Sequence, residues 1–402
     1  MKKQKFYKKI NPITYFVLKV CSKFLAKFKL NLKVVKNELK GNKKGVVILS
    51  NHEYPLDFVP ICAAVNDKIH FVISNAMLKS LPVKKLALTA GVIGKNQFST
   101  SINSMRAMKN VLDDGKKLCL FPAGLMPEHG ASTPIPKSTA KAVKWFDSDL
   151  YISKISGTYL SKPKWSNIFR KGKTTIEIYK LFSSEDLKTI DEAKLQKIIE
   201  EHLFFDAYRN NDKAKVYYKN GDNVEGLETV LYKCPHCQKD YSIKVKNKNV
   251  LECENCGYSV KSDCYGILHQ NGEIPIVYKY VSDWHKFEED CVYNKVVSDS
   301  DFRFSTFAEI HKINDKKNKF EKVGEGTITL DLENFIIDGK VFGKEFYKEV
   351  YAKNFPMLPF VPGKRFEIQD GDDIFRIIPQ NPIVTMEWIL ALKAIHKLGK
   401  EN

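Results

Sequence analysis

The sequence lacks a long apolar run. Its most hydrophobic early stretch is broken by Lys19, Lys23 and Lys27, whereas a helix that crosses a bilayer needs roughly 18 consecutive apolar residues. No small-residue cleavage site follows that stretch. We therefore expect neither a membrane-spanning helix nor a secretory signal peptide.

Acidic residues are nearly absent from the first 44 positions, where Glu38 stands alone against fourteen lysines. Fourteen lysines and one acid give +13 of the net charge of +18 on all 402 residues, which leaves only +5 for the rest. The body of the chain, with 43% hydrophobic residues, has the composition of a globular protein rather than a disordered or fibrous one. The basic segment predicts contact with an anionic surface.

Apolar residues recur at helical spacing from Asn11 to Leu30, and Pro12 suits the first turn of a helix. They are Ile13, Phe16, Val17, Val20, Phe24 and Phe28. Lysines four residues apart lie on another face of this helix. We predict that residues 1–44 form a basic amphipathic arm that associates with anionic membrane lipids. The alternative is a helix that docks on the body of its own protein.

Strands alternate with helices over residues 45–215, which predicts an α/β domain with a mixed, mainly parallel sheet flanked by helices. The predicted strands are 45–50, 70–74, 118–121, 151–156 and 174–179, and the predicted helices include 102–112 and 185 to about 208, the latter capped by Ser184.

The pattern changes after Gly221. We predict a zinc ribbon over residues 216–270 and a β-rich accessory domain over 271–402 that ends in a helix at about 382–398. Short alternating segments there are separated by the turn dipeptides Asp338-Gly339, Pro362-Gly363 and Asp370-Gly371. This order of elements suits either a pleckstrin-homology-like half-barrel or an unrelated β-rich domain.

A histidine and an aspartate follow the first predicted strand, in the run S-N-H-E-Y-P-L-D at residues 50–57. If Pro55 opens the next helix, Asp57 lies in its first turn and can face back toward His52. A carboxylate bonded to one imidazole nitrogen leaves the other free to take a proton from a hydroxyl group. The alternative is a loop histidine beside an aspartate that only caps a helix.

Two further blocks lie downstream, G-V-I-G at residues 91–94 and L-C-L-F-P-A-G at 118–124. The ordered blocks resemble the glycerolipid acyltransferase superfamily, in which N-H-x-x-x-x-D precedes a glycine and β-branched stretch and then F-P-x-G. The resemblance covers roughly residues 30–210. The stretch G-T-Y-L-S-K-P-K-W at 157–165 is similar to a bacterial subgroup with a cysteine-paired module after its catalytic domain.

The resemblance implies a peripheral acyltransferase on the cytoplasmic face of a bacterial cell membrane. His52 would be the general base and Asp57 the group that orients it. The acyl group would pass from acyl-CoA or acyl-ACP to the hydroxyl of a lysophospholipid or glycerolipid, with no covalent enzyme intermediate.

The same resemblance implies a pocket for the acceptor's polar head at Phe121, Pro122 and Gly124, with Lys95 as a phosphate contact. A solvated turn charge is the alternative for Lys95. This chain has Ala123 where the family usually has glutamate, and no arginine follows. Asn96 and Gln97 also stand where the second block commonly ends in arginine. These departures leave open an acceptor other than lysophosphatidate, and weak or lost activity.

Two cysteine pairs, C-P-H-C at 234–237 and C-E-N-C-G at 253–257, are separated by fifteen residues. This spacing predicts a tetrahedral, structural Zn²⁺ site with four thiolate ligands, Cys234, Cys237, Cys253 and Cys256. Iron is an alternative metal. We do not expect His236 to be a ligand, and Cys264 is a less favoured substitute. The other five cysteines are scattered, which suits a reducing compartment.

Two other functions are consistent with parts of the sequence. A zinc ribbon with net positive charge would suit a nucleic-acid-binding protein. Most of the excess charge lies in the amphipathic arm, however, and the ribbon has no basic and aromatic stripe, so we do not expect nucleic acid as a partner. The second alternative is a catalytically inactive, lipid-binding member of the family.

Overall fold

The computed structural model describes residues 7–42, 44–81, 83–96, 102–314, 317–371 and 373–401. Residues 1–6 and 43 of the predicted arm, and Gln97, lie outside this range. The described chain divides into two compact units, Met1–Pro163 with Ile168–Gly221, and Lys164–Asn167 with Asp222–Asn402.

The first unit is built on one sheet. Its strands are β1 (Leu32–Asn37), β2 (Val46–Ser50), β3 (Ile69–Ser74), β4 (Ile93–Lys95), β5 (Lys117–Leu120), β6 (Asp149–Ser156) and β7 (Thr174–Phe182). Their spatial order is β1-β7-β6-β2-β5-β3-β4. Neighbours pair in parallel except β6 and β7, which are antiparallel. The predicted mixed, mainly parallel sheet is confirmed.

Helices cover both faces of this sheet. They are α1 (Pro12–Phe28), α2 (Phe58–Ala64), α3 (Asn75–Ser80), α4 (Lys84–Thr89), α5 (Ile102–Asp113), α6 (Ser138–Phe146), α7 (Thr158–Ser161), α8 (Ser184–Thr189), α9 (Glu192–Leu203) and α10 (Ala207–Ala214). In the central strand β2, Val47 and Leu49 join a core with α5, α6, α8 and α9, whereas Val46 and Ile48 join a core with α2. A strand buried on both faces reads as a continuous apolar run, which is why β2 was predictable.

Helix α1 turns its apolar stripe outward. Its opposite side is held to the unit by buried Tyr15, whose hydroxyl donates to the Asp67 carbonyl at 3.1 Å and accepts from Ile69 N–H at 3.0 Å. The six stripe residues named above are each at least 49% exposed, and Ile13 reaches 75%. None of the described helices is both long and apolar enough to cross a bilayer.

Several sequence expectations in this unit differ from the structure. Residues 32–37 of the predicted arm form β1, an edge strand that pairs with β7. The single helix expected from 185 to about 208 is three helices, because the side chains of Asp191 and Asp206 cap new helix starts. The cap of α8 is Ser183, which forms a capping box with Asp186, and not Ser184.

The second unit contains two sheets and two long helices. Its elements are β8 (Ile243–Lys246), β9 (Val250–Cys253), β10 (Ser259–Ser262), β11 (Leu268–Gln270), α11 (Val281–Ser298), β12 (Arg303–Asn314), β13 (Lys319–Asp331), β14 (Asn334–Val341), β15 (Lys344–Tyr351), β16 (Phe360–Val361), β17 (Arg365–Asp370), β18 (Asp373–Pro379) and α12 (Thr385–Glu401). Short 3₁₀ turns occupy Leu227–Thr229, Ala352–Asn354 and Pro382–Val384.

The larger sheet confirms the predicted β-rich segment. Its strand order is β15-β14-β13-β12-β18-β17-β16, and Trp388 of α12 stacks on Phe335 and Phe366. The turn expected at Asp338-Gly339 is wrong, because Gly339 lies inside β14 opposite Gly326. A Cβ at Gly339 would stand 2.4 Å from the Glu325 carbonyl oxygen. The glycine therefore permits close strand approach rather than a turn.

Candidate functional site

The predicted site residues of the first unit all follow parallel strands at their carboxyl ends. His52 follows β2, Phe121 follows β5, and Lys95 is the last residue of β4. The carboxyl ends of parallel strands share one edge of a sheet, where open α/β sheets bind their ligands. The topology therefore brings the predicted catalytic and substrate-binding residues to one edge.

Asn51 fixes the backbone of the loop that carries His52. Its side-chain amide donates to the Ile155 carbonyl and its oxygen accepts from Ile155 N–H, each at 2.8 Å. Asn51 is buried and continues the pairing of β2 with β6 through its side chain. This attachment sets where the chain leaves the sheet.

His52 and Asp57 are in contact, as predicted. The Nδ1 atom of His52 lies 3.0 Å from Oδ2 of Asp57. The same Oδ2 accepts the backbone N–H groups of Glu53 at 2.6 Å and Tyr54 at 2.8 Å. Helix α2 begins at Phe58 and not at Pro55, and the side chain of Asp57 makes no capping bond to it. The carboxylate thus serves the histidine loop and not the helix.

The geometry leaves one ring nitrogen of His52 available to accept a proton. Asp57 is fully buried, whereas the His52 side chain keeps 17% of its surface exposed. With Nδ1 as the donor to Asp57, Nε2 is the nitrogen that can accept a proton. The Phe121 ring packs against the imidazole, with centroids 4.5 Å apart and planes tilted by 30°. This contact restricts rotation of the ring.

The turn after β5 carries the three residues predicted to bind substrate, Phe121, Pro122 and Gly124. Gly124 donates its N–H to the Phe121 carbonyl at 3.0 Å and adopts a φ of +70°. A Cβ at Gly124 would meet no atom within 4 Å, so space borders the turn there. Pro122 lies between them and is partly buried.

Lys95 lies at the same edge but not beside His52. In the order β2-β5-β3-β4 its strand is three places away, which at ~4.8 Å per strand is about 14 Å. The side chain is exposed, and the surrounding protein lowers the pKa of its ammonium group by desolvation. A ligand bridging His52 and Lys95 would have to extend along the sheet edge.

Glu53 and Thr158 belong to the site, although no role was predicted for either. Glu53 is buried and accepts the Tyr159 N–H at 3.0 Å and, at 3.3 Å, the Asn51 amide. The Thr158 hydroxyl lies 3.0 Å from Oε2 of Glu53 and 2.8 Å from Oδ1 of Asp57. The signal was available, since a carboxylate stands directly after His52 in the sequence.

The environment of Glu53 is unusual for a carboxyl group. Burial, together with the negative charge of Asp57, raises the pKa of Glu53 to about 8. Hydrogen bonds from Tyr159 and Thr158 oppose that rise without cancelling it.

The four predicted metal ligands of the second unit come together. Their Sγ atoms all lie within 4.8 Å of one another, with Cys234 to Cys256 and Cys237 to Cys253 each at 3.7 Å. Zn–S bonds of ~2.3 Å in a tetrahedron place sulfur atoms about 3.8 Å apart. The four thiols therefore have the donor chemistry and the spacing that fit a Zn²⁺ ion.

The two knuckles around this cluster match each other. Lys239 N–H is bonded to Cys237 sulfur, and Tyr258 N–H to Cys256 sulfur, each two residues after its cysteine. His236 lies parallel to the Tyr258 ring at a centroid distance of 6.4 Å and is not among the clustered ligands. Within the described chain, Cys264 also lies outside the cluster.

Comparison with protein families found a match within the first unit. A family model described as Acyltransferase matches residues 31–152. The search of curated proteins returned no match.

Two solved structures are similar to parts of the chain. One is the 1-acyl-sn-glycerophosphate (LPA) acyltransferase, PlsC, from Thermotoga maritima, at 19% identity over 50% of this chain and 79% of that chain, with a TM-score of 0.41. The other is the Ran binding domain of the nuclear complex component Nup2 from Ashbya gossypii, at 12% identity over 25% of this chain and 97% of that chain, with a TM-score of 0.21.

Proposed function

We propose that the chain is a peripheral membrane O-acyltransferase, because a family model described as Acyltransferase matches its residues 31–152. It moves a fatty acyl group from acyl-CoA or acyl-ACP to the hydroxyl of a lysophospholipid or glycerolipid. The observation that carries the proposal is the His52 imidazole, partly exposed at the sheet edge and bonded through Nδ1 to a buried Asp57 carboxylate.

The proposed reaction uses His52 twice. Its Nε2 takes the proton of the acceptor hydroxyl as that oxygen attacks the thioester carbonyl carbon. The C–O bond forms and the C–S bond breaks. The leaving thiolate then takes from the imidazolium the proton that came from the acceptor hydroxyl. Asp57 holds the ring in the required tautomer and stabilises its positive charge while the proton resides there.

The proposed acceptor site extends from His52 along the sheet edge. Phe121, Pro122 and Gly124 would border the acceptor's polar head, where the backbone at Gly124 has open space on one side. Lys95 would meet an anionic head group farther along. Ala123 supplies no carboxylate to this pocket, which supports an acceptor whose head differs from that of lysophosphatidate.

The first test is a panel of acceptors assayed with labelled acyl-CoA and with labelled acyl-ACP. We expect diacyl product from at least one lysolipid, because base, orienting carboxylate and open edge are all present. Acceptors with phosphate-bearing heads and acceptors with neutral heads should be assayed with both wild type and Lys95→Gln. The Lys95→Gln substitution should raise the KM for the anionic heads and leave the KM for the neutral heads unchanged. If no acceptor and neither donor class yields product, the chain is an inactive lipid-binding member.

The membrane part of the proposal rests on α1. A contiguous exposed apolar surface of this kind marks an interaction site on a soluble protein. The exposed lysines Lys23 and Lys27 lie on the same helix, so the stripe could enter the acyl region while the lysines meet anionic head groups. The buried side of α1 holds the helix in place, so its apolar side is free for lipid.

A groove continues this surface at the end of α1. Its volume is about 320 Å³, and it is lined by Phe24, Leu25, Phe28, Lys29, Phe169 and Lys171. The Lys29 ammonium lies 4.7 Å from the centre of the Phe169 ring. The aromatic walls of the groove suit the first methylene groups of a lipid acyl chain. The two lysines beside them suit the phosphate group of the same lipid.

Removing two aromatic rings from the stripe should weaken binding to anionic vesicles. Burying one phenylalanine contributes roughly 1.5–3 kcal/mol, so Phe16→Glu with Phe24→Glu should lower the partition coefficient at least about tenfold. Sedimentation with phosphatidylglycerol-containing vesicles measures it. Phe204→Glu is the matched control, because Phe204 is an exposed phenylalanine of the same unit outside α1. Unchanged sedimentation of the double variant would remove α1 as the anchor.

The cysteine cluster completes the proposal with a structural Zn²⁺. Cys234, Cys237, Cys253 and Cys256 would hold the ion, and its chemistry would be to cross-link two knuckles rather than to contact substrate.

A further inference from the structure

The hydrogen atoms between Glu53, Thr158 and Asp57 can be counted. The Thr158 hydroxyl has one hydrogen to donate, yet its oxygen lies within hydrogen-bond distance of a carboxyl oxygen on either side, 3.0 Å to Glu53 and 2.8 Å to Asp57. Two ionised carboxylates would leave one of these oxygen pairs without a hydrogen between them. One of the two carboxyl groups must therefore carry a proton for both contacts to be hydrogen bonds.

The contacts decide which carboxyl group carries it. Asp57 accepts two backbone N–H groups, at 2.6 and 2.8 Å, and contacts His52. Glu53 receives backbone N–H groups from Tyr159, at 3.0 Å, and from Thr158, and a contact from Asn51 at 3.3 Å. The backbone bonds to Asp57, at 2.6 and 2.8 Å, are shorter than the contacts from Tyr159 and Asn51 to Glu53. Hydrogen bonds to the charged form favour that form. The negative charge therefore belongs on Asp57 and the proton on Glu53.

We propose that Glu53 is a positioning residue that stays protonated and, through the Thr158 hydroxyl, holds the Asp57 carboxylate in the orientation that aligns His52. The Oε2–H of Glu53 donates to Thr158 Oγ1, and the Thr158 hydroxyl donates to Oδ1 of Asp57. Oδ2 is then left to His52 and the two backbone N–H groups. Neither Glu53 nor Thr158 touches the reacting atoms.

The surroundings of Glu53 agree with this assignment. The titratable groups that act on it in the described chain are Asp57, from its own loop, and Tyr218. The Tyr218 hydroxyl donates to the backbone carbonyls of Gly157 and Lys173, at 3.3 and 3.2 Å. Burial raises the pKa of Tyr218, and ionisation of Glu53 would raise it further, so Tyr218 stays neutral. Asp57 is thus the negative charge that opposes ionisation of Glu53.

Loss of the Glu53 proton should disturb the base. An ionised Glu53 would compete for the Thr158 hydrogen and place a second negative charge beside Asp57. The Asp57 carboxylate would lose one of its two anchored oxygens. Acyl transfer, if it is the activity, should therefore fall on the alkaline side as Glu53 ionises at about pH 8.

The first experiment tests the protonated state without using activity. Between the ordinary glutamate pKa of 4.5 and about 8, the folded protein holds a proton that the unfolded chain releases. Raising the pH over this window therefore favours unfolding. As the pH rises across this window, the unfolding temperature of wild type should therefore fall by a few degrees relative to that of Glu53→Gln. Glu201→Gln, at an exposed position of α9, should show no such trend. Parallel curves for Glu53→Gln and wild type would overturn the proposal.

An infrared titration of the wild-type protein covers the case in which Glu53→Gln does not fold. A protonated carboxyl band should disappear with a midpoint near pH 8 and should shift in Thr158→Val, which removes its hydrogen-bond partner. A second buried carboxyl group, Glu288, has a pKa raised by burial, and its band should not move in that variant. Absence of a Thr158-sensitive band would also overturn the proposal.

The kinetic experiment rests on the proposed function and separates the link from the fold. Thr158→Val should lower acyl transfer by about tenfold, the effect of one hydrogen bond, whereas Thr158→Ser should restore it. Glu53→Gln should lose the alkaline decline. If wild type transfers no acyl group, the proposed function fails while the unfolding and infrared results still test Glu53. Equal rates for Thr158→Val and Thr158→Ser would reject the link through Thr158.

Discussion

Replacing His52 by alanine should lower acyl transfer by about two to four orders of magnitude, the usual contribution of a general base. Nε2 of His52 is the nitrogen left free to receive the acceptor proton, since Nδ1 is held by Asp57. Product formation from a labelled thioester and the best acceptor of the panel measures the loss. The unfolding temperature should change little, because the imidazole is partly exposed and alanine fits the same loop.

The control for this prediction is His269→Ala. His269 is exposed in the second unit and pairs with Asp263 at 2.8 Å, so it is a histidine with a carboxylate partner but outside the proposed site. Its replacement should leave the rate unchanged. Undiminished product in His52→Ala would mean that another group is the base.

Replacing Cys253 by alanine should release the metal and unfold the ribbon. Structural Zn²⁺ contributes on the order of 10 kcal/mol to modules of this kind, which is comparable with the whole stability of a domain, roughly 5–15 kcal/mol. The four strands β8 to β11 have only three or four residues each, so without the ion the ribbon would depend on a very small sheet. Metal content by elemental analysis and thermal unfolding, with and without a chelator, measure the effect.

The effect should spread from the ribbon to α11. Trp284 donates its indole N–H to the Lys233 carbonyl at 2.8 Å, and Lys233 N–H donates to the buried Glu288 at 2.8 Å. These bonds join the chain just before Cys234 to the helix. Cys264→Ala is the matched control, because Cys264 lies in the same segment but outside the cluster. Wild-type zinc content and unfolding temperature in Cys253→Ala would exclude the four-cysteine site.

The strands of the first unit were predictable where they are buried, because buried strands consist of apolar residues. Strands β2 and β5 are apolar runs bounded by turns, and buried parallel strands must be so. Strand β1 was missed because its two lysines and two exposed valines continue the pattern of the basic segment. The edge position of β1 explains its polarity. Likewise β15 is largely polar, and its place in the larger sheet depends on pairing with β14.

The site was predictable only in part. The spacing of His52 and Asp57 indicates a pair, because a loop of four intervening residues can bring both side chains together. The link from Thr158 to Asp57 spans about a hundred positions of sequence, and only the fold reveals it. Glu53 was adjacent to the motif, but its burial depends on α7, whose first residues point a hydroxyl and an N–H group at it.

The side chain of Asn51 has a consequence for the turn that follows it. Its amide offers the same donor and acceptor as a peptide group, so it supplies one extra rung between β2 and β6 in place of the main chain. The main chain itself is thereby released from the ladder one residue early. It can then curl so that two successive N–H groups, those of Glu53 and Tyr54, converge on a single carboxylate oxygen. Aspartate at position 51 would keep the acceptor and lose the donor, and leucine would lose both, so either change should let the curl relax.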